Sequence, residues 1–362
     1  MGSRRATDAE VDRWRDEGWV LLDGLVDEAD IDAALDDVRL AFPSPEAYHA
    51  DPEGVTRRWK GNPAPPTEEY VWPPEGPGFR PEQQRWMAAF PFAGSGSLNR
   101  LCVHPSIVDF AERALATADI RLYQAHASAK YSGLTNYEQP MHTDRNHSWL
   151  PAVGRAPWWN LEGFLYLSDV TGSENPTRLV SVADSANVTQ KYPVILPAMD
   201  PELYAAERPA PGRRGSYLAY RSDVFHRGAP FGAPGTARFL LALAFKRAGQ
   251  DWIGYDQAQS RSTGPEWTTF AEHASPRELE LFGFPPPGHP IWSEELLDQT
   301  ARRYPALDLG PWRDALGGAG ADRRGAHRAP PERPSVSGPH GDDESGAEPP
   351  SLLREHREER RT

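Results

Sequence analysis

Gln139-Pro140-Met141-His142-Thr143-Asp144-Arg145-Asn146-His147 is the stretch on which the reading of this chain turns. In extended backbone, residues i and i+2 point to the same side, so His142 and Asp144 converge on one face. Imidazole and carboxylate together suit a borderline divalent metal. Two histidines and one carboxylate on one face leave three coordination positions open, the arrangement of non-heme Fe(II) sites that handle oxygen. A His-x-Asp pair alone is weak evidence, since its bland reading is a surface histidine beside an aspartate.

One strand cannot wrap around an ion, so the third ligand has to come from elsewhere. The best source is Gly215-Ser-Tyr-Leu-Ala-Tyr-Arg-Ser-Asp-Val-Phe-His226-Arg-Gly228, where a strand runs into a histidine. Among 11 histidines, His226 alone stands at such a strand end downstream. Twelve residues later comes Arg238, at the mouth of the apolar strand Phe239-Leu-Leu-Ala-Leu-Ala-Phe245. That strand should be buried, and an unpaired buried charge is costly. Arg238 therefore calls for an anionic partner, and a carboxylate gripped by two N–H groups is its best match.

Outward from these motifs, the chain divides into helices first and strands afterwards. Thr7-Asp8-Ala9-Glu10 is a capping box opening a helix that Gly18 ends, and Trp19–Leu22 reads as a short strand. Asp27 or Asp30 caps a second helix, which Pro43 stops, and a third starts at Pro105 with Ile107, Phe110, Ala111, Ala114 and Leu115 on one face. Residues 43–85 are rich in Pro and Trp and read as a lid or insertion loop. Strands are expected at Ile120–Lys130, Leu161–Leu167, Thr177–Val182, Gly215–Tyr220 and Ala237–Phe245. This order predicts an α+β domain whose N-terminal helices pack on an antiparallel β core. One domain is expected over 1–316. It includes mixed helix and loop from Thr263, and a disordered Pro-, Gly- and charge-rich tail follows at 317–362.

Composition excludes several classes. Of 362 residues, 38% are hydrophobic, which is low for a globular chain, but 37 Pro and 31 Gly are concentrated in 43–85 and the tail. The remainder has ample material for a core. A net charge of −13 argues against a nucleic-acid partner. The single cysteine, Cys102, rules out an intramolecular disulfide and a thiolate metal cluster. No run approaches the ~18 apolar residues of a membrane span, and no export or acylation signal follows Met1, so the expectation is a cytoplasmic protein with no membrane partner.

On these residues the chain resembles the phytanoyl-CoA dioxygenase family of Fe(II)- and 2-oxoglutarate-dependent oxygenases. Asp16-Glu-Gly-Trp19-Val20 resembles the family's "D-G-(W/F)-V" opening. Phe164-Leu-Tyr-Leu-Ser-Asp169 with Pro176-Thr177-Arg178-Leu179 resembles its strand and "G-P-T" turn, and Gly215–Arg238 its closing strand pair. The likeness covers about residues 8–247, with 43–85 as an insertion. It implies a double-stranded β-helix, the jelly-roll or cupin-like barrel, with Fe(II) held by His142, Asp144 and His226. It implies that Arg238 binds the far carboxylate of 2-oxoglutarate, with Gln124, Lys130 and Thr177 as further co-substrate contacts. It also implies O2-dependent hydroxylation of a small molecule through a ferryl species, releasing succinate and CO2. Iron halogenases of this fold lack the ligand carboxylate; Asp144 is intact, which favours hydroxylation or a related oxidation.

The chain departs from the family at two points. It reads Val180-Ser181-Val182-Ala183-Asp184-Ser185 where members often read "V-P-G-S-H". It has Gly228 where some carry a serine toward the co-substrate. For the substrate side, Arg145 suits an anionic group or a salt bridge, and Trp149, Trp158 and Trp159 are cavity or core residues, with Trp149 and Trp159 as the substrate candidates. His147, His126 and Arg221 read as neighbouring or structural groups, and His104 as a helix cap. Two other classes stay open: a cupin-like Zn or Mn isomerase or lyase, which would have no use for Arg238, and a non-catalytic binding protein of the same fold.

Overall fold

Apolar alternation in the strand Ala237–Arg247 organises the molecule. Phe239, Leu241, Leu243 and Phe245 point to one side and are buried among the helices, while Arg238, Leu240, Ala242 and Ala244 point to the other. The four large side chains on the helix side each contribute roughly 1.5–3 kcal/mol by leaving water. The computed structural model describes residues 2–58, 86–92, 96–133, 137–144, 159–188, 194–250 and 265–322. The chain divides into two units, Met1–Ala319 and Gly320–Thr362, and of the second only the first three residues are described.

The helices begin where the caps place them. Helix α1 (Asp8–Glu17) has the full Thr7–Glu10 capping box and ends at Gly18, whose φ of 86° is the left-handed cap geometry that glycine adopts at little cost. Strand β1 is Trp19–Leu22, and α2 (Glu28–Ala41) is capped by Asp27. The stretch expected as loop from 43 begins instead with two short helices, α3 (Pro45–Ala50) and α4 (Pro52–Arg58). Ser44 caps the first, and Asp51 accepts from the Gly54 N–H in the second. Pro45 and Pro52 thus start helices rather than break them. Residues 59–85, the rest of the expected lid, lie outside the described residues.

After β2 (Met87–Ala89) and α5 (Ser97–Leu101) comes α6 (Pro105–Ala114), capped by the His104 ring as expected. The strands follow: β3 (Ile120–Tyr131), β4 (Leu161–Tyr166), β5 (Arg178–Leu179), β6 (Arg208–Pro209), β7 (Tyr217–Arg221), β8 (His226–Arg227) and β9 (Ala237–Arg247). A short helix, α7 (Pro201–Ala205), stands between β5 and β6. The strand expected over 177–182 is only two residues long. Helices α8 (Pro265–His273), α9 (Pro276–Leu281), α10 (Glu294–Arg303) and α11 (Gly310–Asp322) complete the described chain. Helix α11 continues past Gly317, where the tail was expected to begin, as far as Asp322. Residues 323–362 lie outside the described residues.

Two antiparallel sheets result. The larger has the order β1-β7-β4-β9-β3-β2, and the smaller β6-β5-β8. One face of the larger sheet packs on the helices through Ala125, Ala127, Tyr131, Leu161, Tyr217 and Ala219. Its other face meets the smaller sheet through Tyr166, Leu218, Tyr220 and Leu240 against Leu179. This is the expected α+β arrangement, a β core flanked by N-terminal helices, and the space between the sheets holds the candidate site. Among the described residues, no helix is long and apolar enough to cross a membrane.

Candidate metal centre

His142 and His226 form an isolated antiparallel bridge at the edge of the smaller sheet. Their peptides exchange both hydrogen bonds, 3.1 and 2.8 Å. Alternation then divides the side chains. Met141 and Phe225 point into an apolar cluster with Val180, Ile195 and Leu203, so His142 and His226 point the other way, into the space between the sheets. Asp144, two residues past His142, joins them. The ligand atoms of His142, Asp144 and His226 all lie within 4.8 Å of one another. His226 Nε2 and Asp144 Oδ2 are 3.5 Å apart, near the ~3 Å separation of adjacent ligands bound at about 2.1 Å.

The ring orientations are set from behind. His142 Nδ1 is 2.9 Å from the Pro140 carbonyl, and His226 Nδ1 is 3.1 Å from the Val224 carbonyl. A carbonyl only accepts, so each Nδ1 carries the hydrogen and Nε2 is the ring atom left to face the cluster. Arg227 clamps the strands together from outside the site, donating to Glu207 at 2.7 Å and Glu138 at 2.6 Å. The donor set therefore fits a divalent metal, with two imidazoles and one carboxylate around a common point.

Two buried tyrosines that the sequence reading did not single out flank the centre. The Tyr220 hydroxyl donates to Asp144 Oδ2 at 2.9 Å, and its ring lies 4.6 Å from that of His226. Tyr123 donates a hydrogen bond to the buried Glu162, whose register partner is Tyr220. Burial first, then the neighbouring carboxylates, push both phenols well above the ordinary tyrosine value, so they stay protonated donors. Tyr220 shares its face of β7 with Leu218, a period-two signal visible in the sequence. Its reach to Asp144 depends on how the two sheets pack.

Lys130 and Arg238 are register partners on β3 and β9, both buried and both on the face toward the smaller sheet. Lys130 Nζ donates to the carbonyls of Tyr137 and Ala229, each at 2.7 Å. Arg238 Nη1 donates to the Asn175 carbonyl at 2.8 Å, and its buried Nε has no hydrogen-bond partner among the described residues. Neither forms an ion pair there. Burial is the first cause lowering both pKa values, and for Lys130 the Arg238 charge is the next; Lys130 falls to about 6.

The structure does not bring all expected co-substrate contacts together. Gln124 faces the same side of β3 as Lys130 but pairs with Ala244, six residues along the strand, or about 20 Å at ~3.3 Å per residue. That exceeds the length of a five-carbon dicarboxylate, so Gln124 sits at the other end of the space. Thr177 is buried two residues from Asn175, beside the Arg238 end. Trp159 is a correction: it packs edge-on against Trp14, ring centres 6.0 Å apart, under the Arg221 guanidinium at 4.4 Å. It belongs to the helix-side core, because its neighbour Leu161 faces the helices too. Arg221 is held by Asp223 at 2.5 Å, a structural pair as expected. Arg145, His147, Trp149 and Trp158 lie outside the described residues.

Gly228, one of the two sequence departures, has a local reason. Its N–H donates to Gln139 Oε1 at 2.7 Å, and a Cβ at 228 would stand 2.6 Å from that oxygen. Gln139 occupies the room a side chain there would need.

No family model matches the chain, and no curated protein matches it. Among solved structures, it is similar to the epimerase SnoN in complex with Fe3+, alpha ketoglutarate and nogalamycin RO. The identity is 18%, over 67% of this chain and 83% of that one, with a TM-score of 0.46. It is also similar to the non-heme alpha ketoglutarate dependent carbocyclase SnoK from nogalamycin biosynthesis, at 16% identity over 68% of this chain and 88% of that one, TM-score 0.48.

Proposed function

We propose that this chain is an Fe(II)- and 2-oxoglutarate-dependent oxygenase of the phytanoyl-CoA dioxygenase type, built on a double-stranded β-helix within residues 1–316, that hydroxylates a small molecule. The observation that carries this reading is the buried Lys130–Arg238 pair on the face of the larger sheet that looks toward the smaller one, at whose edge His142 and His226 pair. Neither basic side chain has a direct ion pair among the described residues, although Glu138 acts on Lys130 and Glu174 on Arg238 from a distance. A buried basic group so placed is costly, and the cost is understandable where an anion is to be received. Lys130 is tied to Ala229, three residues beyond His226, so one anchored end of a dicarboxylate leaves its other end near the metal ligands. A cupin-like isomerase would have no use for that seat.

His142, Asp144 and His226 would hold the iron through two Nε2 atoms and one carboxylate oxygen. Bound iron would supply the redox chemistry that couples O2 reduction to the oxidative conversion of 2-oxoglutarate to succinate and CO2. The chain's own part is positional. Tyr220 orients Asp144; Arg238 and Lys130, with Thr177 nearby, anchor the co-substrate; Gln124 and the Tyr123–Glu162 pair face the opposite end, where a substrate would lie. Burial of the ligands limits water near the reacting bonds. Arg145 and Trp149 remain substrate-side proposals from sequence. The intact Asp144 supports hydroxylation over halogenation.

The test is succinate formation from 2-oxoglutarate by the purified chain, with a metabolite panel as substrates. Turnover should require added ferrous iron and O2. Undiminished turnover in a chelator-treated sample, or 2-oxoglutarate consumption unaffected by Arg238→Ala, would overturn the reading.

A further inference from the structure

If the seat beside Arg238 receives a dicarboxylate, as proposed above, the hydrogen count at Lys130 decides what enters with it. Nζ meets two acceptors, the carbonyls of Tyr137 and Ala229, both at 2.7 Å. A neutral amine has two N–H bonds and a lone pair, and these carbonyls use both hydrogens. An ammonium has a third hydrogen, for which the described residues offer no further acceptor. The group is also 3% exposed, where an unneutralised charge is disfavoured.

The charged and titratable surroundings are mixed. Arg238 stands opposite on β9 and Arg227 lies on β8, both opposing a cation; Glu138 favours one. The Tyr137 ring, 4.1 Å from Nζ, and the Phe231 ring at 5.1 Å are surfaces a cation prefers. An arriving carboxylate would change this balance, because it neutralises Arg238 and accepts the missing third hydrogen bond.

We propose that Lys130 is a neutral amine in the empty seat and gains a proton when a dicarboxylate enters, so that 2-oxoglutarate binds together with one proton. The proton comes from solvent and forms an N–H bond on the Nζ lone pair; no bond within the ligand changes. Release of a dicarboxylate product returns it. The lowered pKa of Lys130, about 6, places the effect at neutral and alkaline pH.

The experiment is calorimetric titration of the Mn(II)-loaded full chain with 2-oxoglutarate at pH 8, in two buffers of different ionisation enthalpy. The expected result is uptake close to one proton per ligand, vanishing near pH 5, and affinity falling about tenfold per pH unit above the pKa of the empty site. Lys130→Arg keeps a permanent charge, and should bind with neither proton uptake nor that pH slope. Lys130→Met should lose the uptake as well, and most of the affinity. Failure of the wild-type chain to bind 2-oxoglutarate would remove the co-substrate reading and this inference with it. Binding without proton exchange at pH 8, or exchange retained in Lys130→Arg, would overturn this inference alone.

Discussion

His142 and His226, 84 positions apart in the chain, are direct cross-strand partners whose peptides exchange both hydrogen bonds. The separation of their imidazoles is thus fixed by sheet geometry rather than by loop packing, and the site should exist before any metal arrives. Truncation of either ring, or of Asp144, removes one ligand but leaves the backbone bridge. His142→Ala, Asp144→Ala and His226→Ala should each lower Co(II) or Fe(II) affinity by more than ~100-fold, the upper end of what loss of a mere outer partner of a ligand costs. Stability in the absence of metal should fall by only about 1 kcal/mol, the ordinary effect of a single substitution. Metal titration followed by calorimetry checks the first statement, and a melting curve with chelator checks the second.

Tyr220 acts on the same centre through Asp144. Its hydroxyl, 2.9 Å from Oδ2, fixes the carboxylate while its ring packs at 4.6 Å on His226. Tyr220→Phe keeps the ring and deletes the bond. Loss of a group that orients a metal ligand costs about 10–100-fold in affinity or activity. The variant should therefore bind Co(II) correspondingly more weakly with an unchanged fold, and its Co(II) absorption spectrum should shift as the carboxylate gains freedom. Equal affinity and an identical spectrum would show that Asp144 is held by other contacts.

Much of this centre is legible in the sequence, for a simple reason. His142 and Asp144 sit at i and i+2, His226 ends a strand and Arg238 begins one, and period-two alternation assigns each to a face. The pairing of Lys130 with Arg238 follows from strand register, which the family resemblance supplies only in outline. Side-chain reach is not legible: Tyr220 meets Asp144 across the space between the sheets, and Glu162 meets Tyr123 from two strands away in the same sheet, contacts that depend on packing. Trp159 misleads because it is near the motif in sequence, while its parity with Leu161 sends it to the helix side. Residues 45–58 mislead because a Pro-rich stretch reads as loop, although proline is at home in a first helical turn. Strands of two residues, as in β5 and β8, are too short to show any period.

The stability of the empty protein should depend on Lys130 in a definite direction. Its folded pKa, about 6, lies below the ~10.4 of an unfolded lysine. Between these values the unfolded chain binds a proton that the folded chain does not, so stability rises with pH across that window. The rise approaches ~1.4 kcal/mol per pH unit from this one group, and flattens below pH 6, where both states are protonated. Lys130→Met should lack this component and be the more stable protein near pH 7 when no ligand is present. Urea melts of both chains from pH 5 to 9 measure the difference. A parallel pH dependence in the two would mean that the lysine is charged in the fold.

Gln139 and Gly228 are tied twice, and the tie leaves no room for a side chain at 228. Gln139 Oε1 accepts from the Gly228 N–H at 2.7 Å, and the Gln139 N–H donates to the Gly228 carbonyl at 2.8 Å. The segment leading into His142 is thereby pinned to the segment leaving His226. A Cβ at 228 would lie 2.6 Å from Gln139 Oε1, so Gly228→Ala must displace that side chain. The expected cost is about 1–3 kcal/mol, together with weaker metal binding as the two histidine strands lose their tie. Gln139→Ala alone loses one hydrogen bond, worth about 1 kcal/mol, and removes the obstacle. Combined with Gln139→Ala, Gly228→Ala should therefore cost less than it does alone, a negative coupling energy in a double-mutant cycle. Simple additivity would show that the two residues do not compete for the same space.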